Sequence, residues 1–172
     1  PGCRGAAGPL RTVAATPRAA AIGPRRTVTH YKAEFIGLAP ATRYAYRVGT
    51  TSASSHWHCF STASADASPF RFIYLGDAQQ GLGKRWPEVV RAAFAAAPDA
   101  RFLVHAGDLL DEGHDDGQWR AWLAGLGDRA AELPGVPVPG NHDVMRSRLS
   151  RVAAVPDLWN AHFALPSNGP AD

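Results

Sequence analysis

Val136-Pro137-Val138-Pro139-Gly140-Asn141-His142-Asp143 reads as a short buried strand that runs into a tight turn. Val136 to Val138 supply the apolar run, and Pro139-Gly140 supply the turn chemistry that ends it. Asn141, His142 and Asp143 are then presented at the tip of the turn. Two earlier stretches share this grammar. Residues 70–77 are an apolar run ending in Gly76-Asp77, and residues 101–108 are another ending in Gly107-Asp108. Each predicted strand delivers a metal-capable side chain at its C-terminal end. Asp77 and Asp108 lie 31 residues apart (108 − 77), and Asp108 and Asn141 lie 33 apart (141 − 108), the length of a strand-helix-strand unit.

The intervening residues fit that unit. Trp86, Val89 or Val90, Ala93, Phe94 and Ala97 follow helical spacing over 84–97, and Pro98 stops the helix. A second helix is predicted over 117–133, with Trp119, Trp122, Leu123 and Leu126 on one face and Pro134-Gly135 breaking it. A short helix is expected over 156–163 and a loop over 165–172. The β-α-β-α-β order predicts an α/β layer fold with a parallel or mixed sheet, its strands covered on both faces. Sites in such sheets form outside the carboxyl ends of the strands, where Asp77, Asp108 and Asn141 fall. Two carboxylates ~4 Å apart repel by roughly 4 kcal/mol at an effective dielectric of 20. A raised pKa or bound cations must offset that, and a pair of metal ions would do so while clamping phosphoryl oxygens. A single Gly-Asp after a strand more often marks only a turn, since Gly allows the bend and Asp caps the next helix. Three in register, with Asn-His-Asp, favour the metal site.

Residues 1–66 differ in character. Residues 1–26 are Ala/Arg/Pro/Gly-rich and read as loop or weak strand. Strands are predicted over 27–38, with Tyr31, Ala33 and Phe35 on the inner side, over 43–50 with Tyr44, Tyr46 and Val48, and over 56–62 with Trp57 and Cys59 opposite His58 and Phe60. Residues 61–68 are a polar linker of small residues, which divides the chain into 1–66 and 67–172. The first part carries net +6 and the second net −3, summing to the chain's +3. The basic residues of the first part are scattered, so no specific nucleic-acid binding is expected. At 45% hydrophobic and 19% charged the composition is globular, and no apolar run is long enough to span a bilayer. No signal peptide is visible. Cys3 and Cys59 could form one disulfide or stand as unrelated thiols.

Gly76-Asp77, Gly107-Asp108 and Gly140-Asn141-His142-Asp143, in this order and spacing, resemble the first three motifs of the calcineurin-like metallophosphoesterases. The stretch Leu38-Ala39-Pro40-Ala41-Thr42-Arg43-Tyr44 looks like the tyrosine corner of fibronectin type III sandwiches. A fibronectin-like domain ahead of the motifs is similar to the purple acid phosphatases and their bacterial relatives. So are 40–49 and Phe163-Ala164-Leu165-Pro166-Ser167-Asn168-Gly169-Pro170. The resemblance implies a partial fibronectin III-like β-sandwich over 1–66. Over 67–172 it implies the first half of a four-layer α/β/β/α metallophosphoesterase domain. It implies a phosphate mono- or diester substrate and two metal ions, Fe, Mn or Zn, that generate a nucleophilic hydroxide. Asp77 would bind the first metal, Asp108 would bridge both and Asn141 would bind the second. His142 would stabilise the phosphate or assist the leaving group, and Asp143 would be a supporting acid near it. Export is an expectation of the family alone.

The chain departs from the purple acid phosphatase pattern at two positions. Asp111 stands where those enzymes carry their chromophoric Tyr, and Gln79 stands where they carry Gly and most other members a His ligand. Either residue could complete the first metal's shell. The family's later histidine motifs would lie beyond Asp172, so the chain reads as a fragment holding about half of the ligands. Alone, it is expected to bind metal weakly, turn over little and dissolve poorly. The alternative is a non-catalytic binding module. His105, inside a buried strand, is expected to be a hydrogen-bonded core residue, and His114 with Asp111, Glu112, Asp115 and Asp116 a solvated acidic loop. His162 is not expected to be a ligand. The tryptophans at helical spacing are expected to be core.

Overall fold

The computed structural model describes residues 8–22, 24–146 and 153–165. Three strands, β5 (Ile73–Leu75), β6 (Leu103–Ala106) and β7 (Gly135–Val138), form a parallel sheet in the order β5-β6-β7. The register pairs Tyr74 with Val104 and Val104 with Val136, so these three share one face. Ile73, Leu103 and His105 lie on the other face and are buried. That buried face meets helices α1 (Arg85–Ala96) and α2 (Asp116–Leu126), which contribute Trp86, Val90, Phe94, Trp119, Trp122 and Leu126 to the core. Indole packing dominates: Trp86 stacks on Trp122 at 6.1 Å, and Trp86 donates Nε1–H to the Trp122 carbonyl at 2.9 Å.

The expectation of a sheet covered on both faces is corrected for the described residues. Tyr74 is 67% exposed and Val136 and Val138 are nearly half exposed, so the second face of this sheet is open. The apolar runs are as predicted, but only alternate residues are covered. The single helix expected over 117–133 is two. Gly127 takes φ 58° and returns its N–H to the Leu123 and Ala124 carbonyls, which closes α2, and α3 (Arg129–Glu132) follows. The start of α2 is capped by Asp115, whose carboxylate accepts from the N–H groups of Gly117 and Gln118. His105 is core, as expected. Its ring lies edge-on to Trp86 and Trp122, and burial holds its pKa to about 4 against the pull of Asp77, the Gly107 backbone and Asp108.

The Ala-rich start contains β1 (Thr16–Ala21), which pairs antiparallel with β2 (Thr27–Lys32). Separately, β3 (Arg43–Tyr46) pairs antiparallel with β4 (His58–Ser61), and two-residue strands β8 (Met145–Arg146) and β9 (Ala153–Ala154) pair with each other. The inner face of β2 is the reverse of the expected one. Val28, His30 and Lys32 are half-buried, whereas Tyr31 is 67% exposed. The reason is α4 (Asp157–His162): Lys32 Nζ donates to the carbonyls of Asn160 (2.7 Å) and Phe163 (2.6 Å), satisfying the end of that helix. Tyr44 Oη accepts the Ala39 N–H at 2.8 Å, the corner geometry that the sequence suggested, and Tyr46 Oη donates to the Ala131 carbonyl at 2.6 Å. Cys59 is buried and disulfide-bonded, while Cys3 lies outside the described residues. The loop expected over 165–172 lies outside them from 166 onward. No helix among the described residues is long and apolar enough to cross a membrane.

Candidate metal centre

The loops that leave β5, β6 and β7 meet at the carboxyl end of the sheet. Asp77 and Asp108 both adopt φ 53°, and Gly107, which precedes Asp108, adopts φ 83°. A left-handed aspartate costs roughly 1–2 kcal/mol, and such strain concentrates at functional turns. Backbone bonds repay part of it: Asp77 N–H donates to the Gly107 carbonyl (3.2 Å) and Gln79 N–H to the Asp108 carbonyl (3.3 Å). The third loop closes on the second. His142 N–H donates to Asp108 Oδ1 at 3.0 Å, and Gln79 Nε2 approaches Asp108 Oδ2 at 3.5 Å. The Asp108 carboxylate is therefore held at both oxygens. Gly140 makes this approach feasible, because a Cβ there would overlap Asp108 Oδ1 and the Asp108 backbone nitrogen.

Asp143 was expected beside His142, and its carboxylate does something else. It is fully buried and accepts three backbone N–H groups, from Gly140 (2.9 Å), Leu110 (3.0 Å) and Leu109 (3.1 Å). It thus fastens the turn after β7 to the turn after β6. Burial pushes its carboxyl pKa up, the three N–H groups pull it down, and the nearby Asp108 carboxylate adds to the rise. The carboxylate next to the His142 ring belongs to Asp111, with Oδ1 3.3 Å from Nδ1. Asp111 is itself placed by Gln118, whose Oε1 accepts the N–H groups of Asp111 (2.8 Å) and Glu112 (3.1 Å). Asn141 and Asp77 are exposed at the mouth. His114 pairs with Glu112 at 3.5 Å on an exposed loop. His162 is stacked on Trp119 in the core.

Asp143→Asn tests the fastening role. An amide can accept one or two of these N–H groups, but its own NH2 would face a third. The expected loss is about 2–4 kcal/mol of unfolding free energy, read by urea titration. An unchanged midpoint would contradict the role.

The donor set fits hard or borderline cations in part. Asp77, Asp108 and Asn141 offer oxygen ligands, and Gln79 Oε1 is a buried acceptor with no partner. Among the described residues, no three His, Cys, Asp or Glu side chains converge closely enough to hold a metal ion. The sequence reading missed three features: the Asp111–His142 pair, the Gln118 clamp and the backbone role of Asp143. Asp111, three residues after Asp108 in a turn, carried a signal for the first. The other two depend on chain crossings that spacing does not reveal.

No curated protein matches the chain in sequence. Among solved structures, the chain resembles purple acid phosphatase PPD1 isolated from yellow lupin (Lupinus luteus) seeds, with a TM-score of 0.69 and 18% identity over 94% of this chain and 34% of that one. At that identity the likeness concerns the fold, and the chain spans about a third of that protein's length. The family model of the calcineurin-like phosphoesterases matches residues 70–170, which include all three strand-end loops. With these loops gathered at the carboxyl end of a parallel sheet, the chain belongs to the calcineurin-like phosphoesterase family, and its fold is purple acid phosphatase-like.

Proposed function

We propose that the protein is a metal-dependent phosphoester hydrolase with a dinuclear centre. Asp77, Asp108 and Asn141 supply part of its oxygen ligands, and Gln79 Oε1 is available to the same shell. The observation that carries this reading is the Asp108 carboxylate. It is held at one oxygen by the His142 N–H and at the other by Gln79, at the meeting point of the three motif loops. Fe, Mn or Zn bound there supplies charge neutralisation for phosphoryl oxygens and activation of water. The chain's own residues do the rest. Asp111 Oδ1 stands 3.3 Å from His142 Nδ1, an ion pair when the ring carries both protons, and in that form Nε2–H can donate to a phosphate or leaving-group oxygen. Asp143 keeps the turn that carries His142 in place.

Residues 1–66 are read as part of a fibronectin III-like sandwich, a reading supported by the Tyr44 corner, with 67–172 as the first half of the phosphoesterase domain. Export is part of the same proposal. A second reading, a non-catalytic binding module or inactive fragment, is favoured by the absence of three converging ligand side chains among the described residues. One assay separates the two. The protein expressed from its complete coding sequence, given Mn, Fe or Zn, is expected to hydrolyse p-nitrophenyl phosphate or its bis ester and to stop when chelated. Failure on both esters with every metal would favour the binding module.

A further inference from the structure

His30 and His162 are half-buried titratable groups that the proposed centre does not use. Their ring centroids are 4.4 Å apart at an interplanar angle of 71°. The Nε2 atom of each is buried and has no hydrogen-bond partner. The other side of His162 stacks on Trp119 at 4.2 Å, and Trp119 is fully buried. The pair sits at the junction between the β1–β2 hairpin and α4, where Lys32 Nζ also lands on the Asn160 and Phe163 carbonyls that flank His162. Ala20 of β1 is 2% exposed and belongs to the same core, so the hairpin is attached by packing as well as by Lys32.

The charges around the pair are unbalanced. On the hairpin side stand Lys32 of β2 and Arg18 of β1, which acts on Lys32. Asp116 at the start of α2 is the carboxylate that acts on His162, and Asp157 lies at the far end of α4. We propose that the His30–His162 pair is an acid-released latch, which holds the β1–β2 hairpin on α4 while the His162 ring is neutral and frees it when that ring is protonated. A charge on His162 would face a second imidazole, with no hydrogen-bond partner at its buried Nε2.

The direction follows from burial. Desolvation, helped by His30 and opposed by Asp116, lowers the His162 pKa from 6.5 to about 4. A histidine depressed on docking stabilises the docked state fully above its free value. That contribution is lost as pH falls from 6.5 towards 4. At pH 5 the hairpin's open fraction should rise about 30-fold relative to neutral pH.

Hydrogen exchange of the amides of residues 16–32, corrected for the pH dependence of intrinsic exchange, reads this opening. Wild-type protein should open about 30-fold more at pH 5 than at pH 7.5, and His162→Phe should reduce the change to about 3-fold or less. His162→Gln, neutral and polar, is the second variant should the phenylalanine disturb folding, and it should behave alike. Equal hairpin protection at both pH values in wild type would overturn the latch. So would a full acid response in a folded His162 variant. None of these outcomes depends on metal or turnover, so the latch and the hydrolase reading stand or fall separately.

Discussion

Asparagine in place of Asp108 is expected to lower metal-dependent phosphoester hydrolysis by about 1000-fold or more while leaving the fold intact. The substitution separates charge from shape. Asparagine tolerates the left-handed φ of 53° that Asp108 adopts, so the turn after β6 keeps its conformation. Its Oδ1 can still accept the His142 N–H, which now sits 3.0 Å from the carboxylate. What disappears is the negative charge and one oxygen, replaced by an NH2 that faces Gln79 Nε2. A ligand expected to bridge two cations loses the property that makes bridging favourable. Unfolding midpoint and activity should therefore part company. Full turnover in folded Asp108→Asn protein would remove Asp108 from the centre.

Gly140→Ala acts through the opposite route, by shape alone. The added Cβ would overlap both Asp108 Oδ1 and the Asp108 backbone nitrogen. A flexible side chain could swing aside, but a backbone atom already fixed by a strained turn cannot. The loop after β7 must retreat, and it carries the Gly140 N–H bond to Asp143 and the His142 N–H bond to Asp108. The expected cost is about 3 kcal/mol or more in unfolding free energy, together with loss of metal-dependent activity. Gly135→Ala is the control. Nothing lies within 4 Å of its added Cβ, so the change should stay within about 0.5 kcal/mol. Equal stability of the two variants would show that the loops do not approach as described.

Much of this was legible in the residues because the signals were local. Helix α1 follows from the spacing of Trp86, Val90 and Phe94 and from Pro98, and the three parallel strands follow from apolar runs ending in Gly-Asp or Gly-Asn. The misreadings share a physical cause, which is that a tertiary partner decided between locally equivalent choices. Tyr31 and Lys32 alternate along β2, and aromatic character favours Tyr31 inside. The free carbonyls at the end of α4 instead recruit Lys32, and its neighbour turns outward. Gly127 inside a helical pattern could be a tolerated glycine or a terminator, and its positive φ makes it the latter. At the centre, Asp143 adjoins His142 in sequence and Asp111 does not. Side chains of consecutive residues in a turn diverge, however, so Asp143 points into the backbone of the preceding loop and Asp111 meets the imidazole.

Metal titration is the most direct test of the claim that these loops form a metal centre. Protein from the complete coding sequence, stripped by chelation, would be titrated with Mn or Zn in a calorimeter beside folded Asp108→Asn protein. Two bound ions per wild-type chain, with binding weakened about 100-fold or more in the variant, is the result predicted. Equal affinity and stoichiometry in the two proteins, or no binding by wild type, would contradict it.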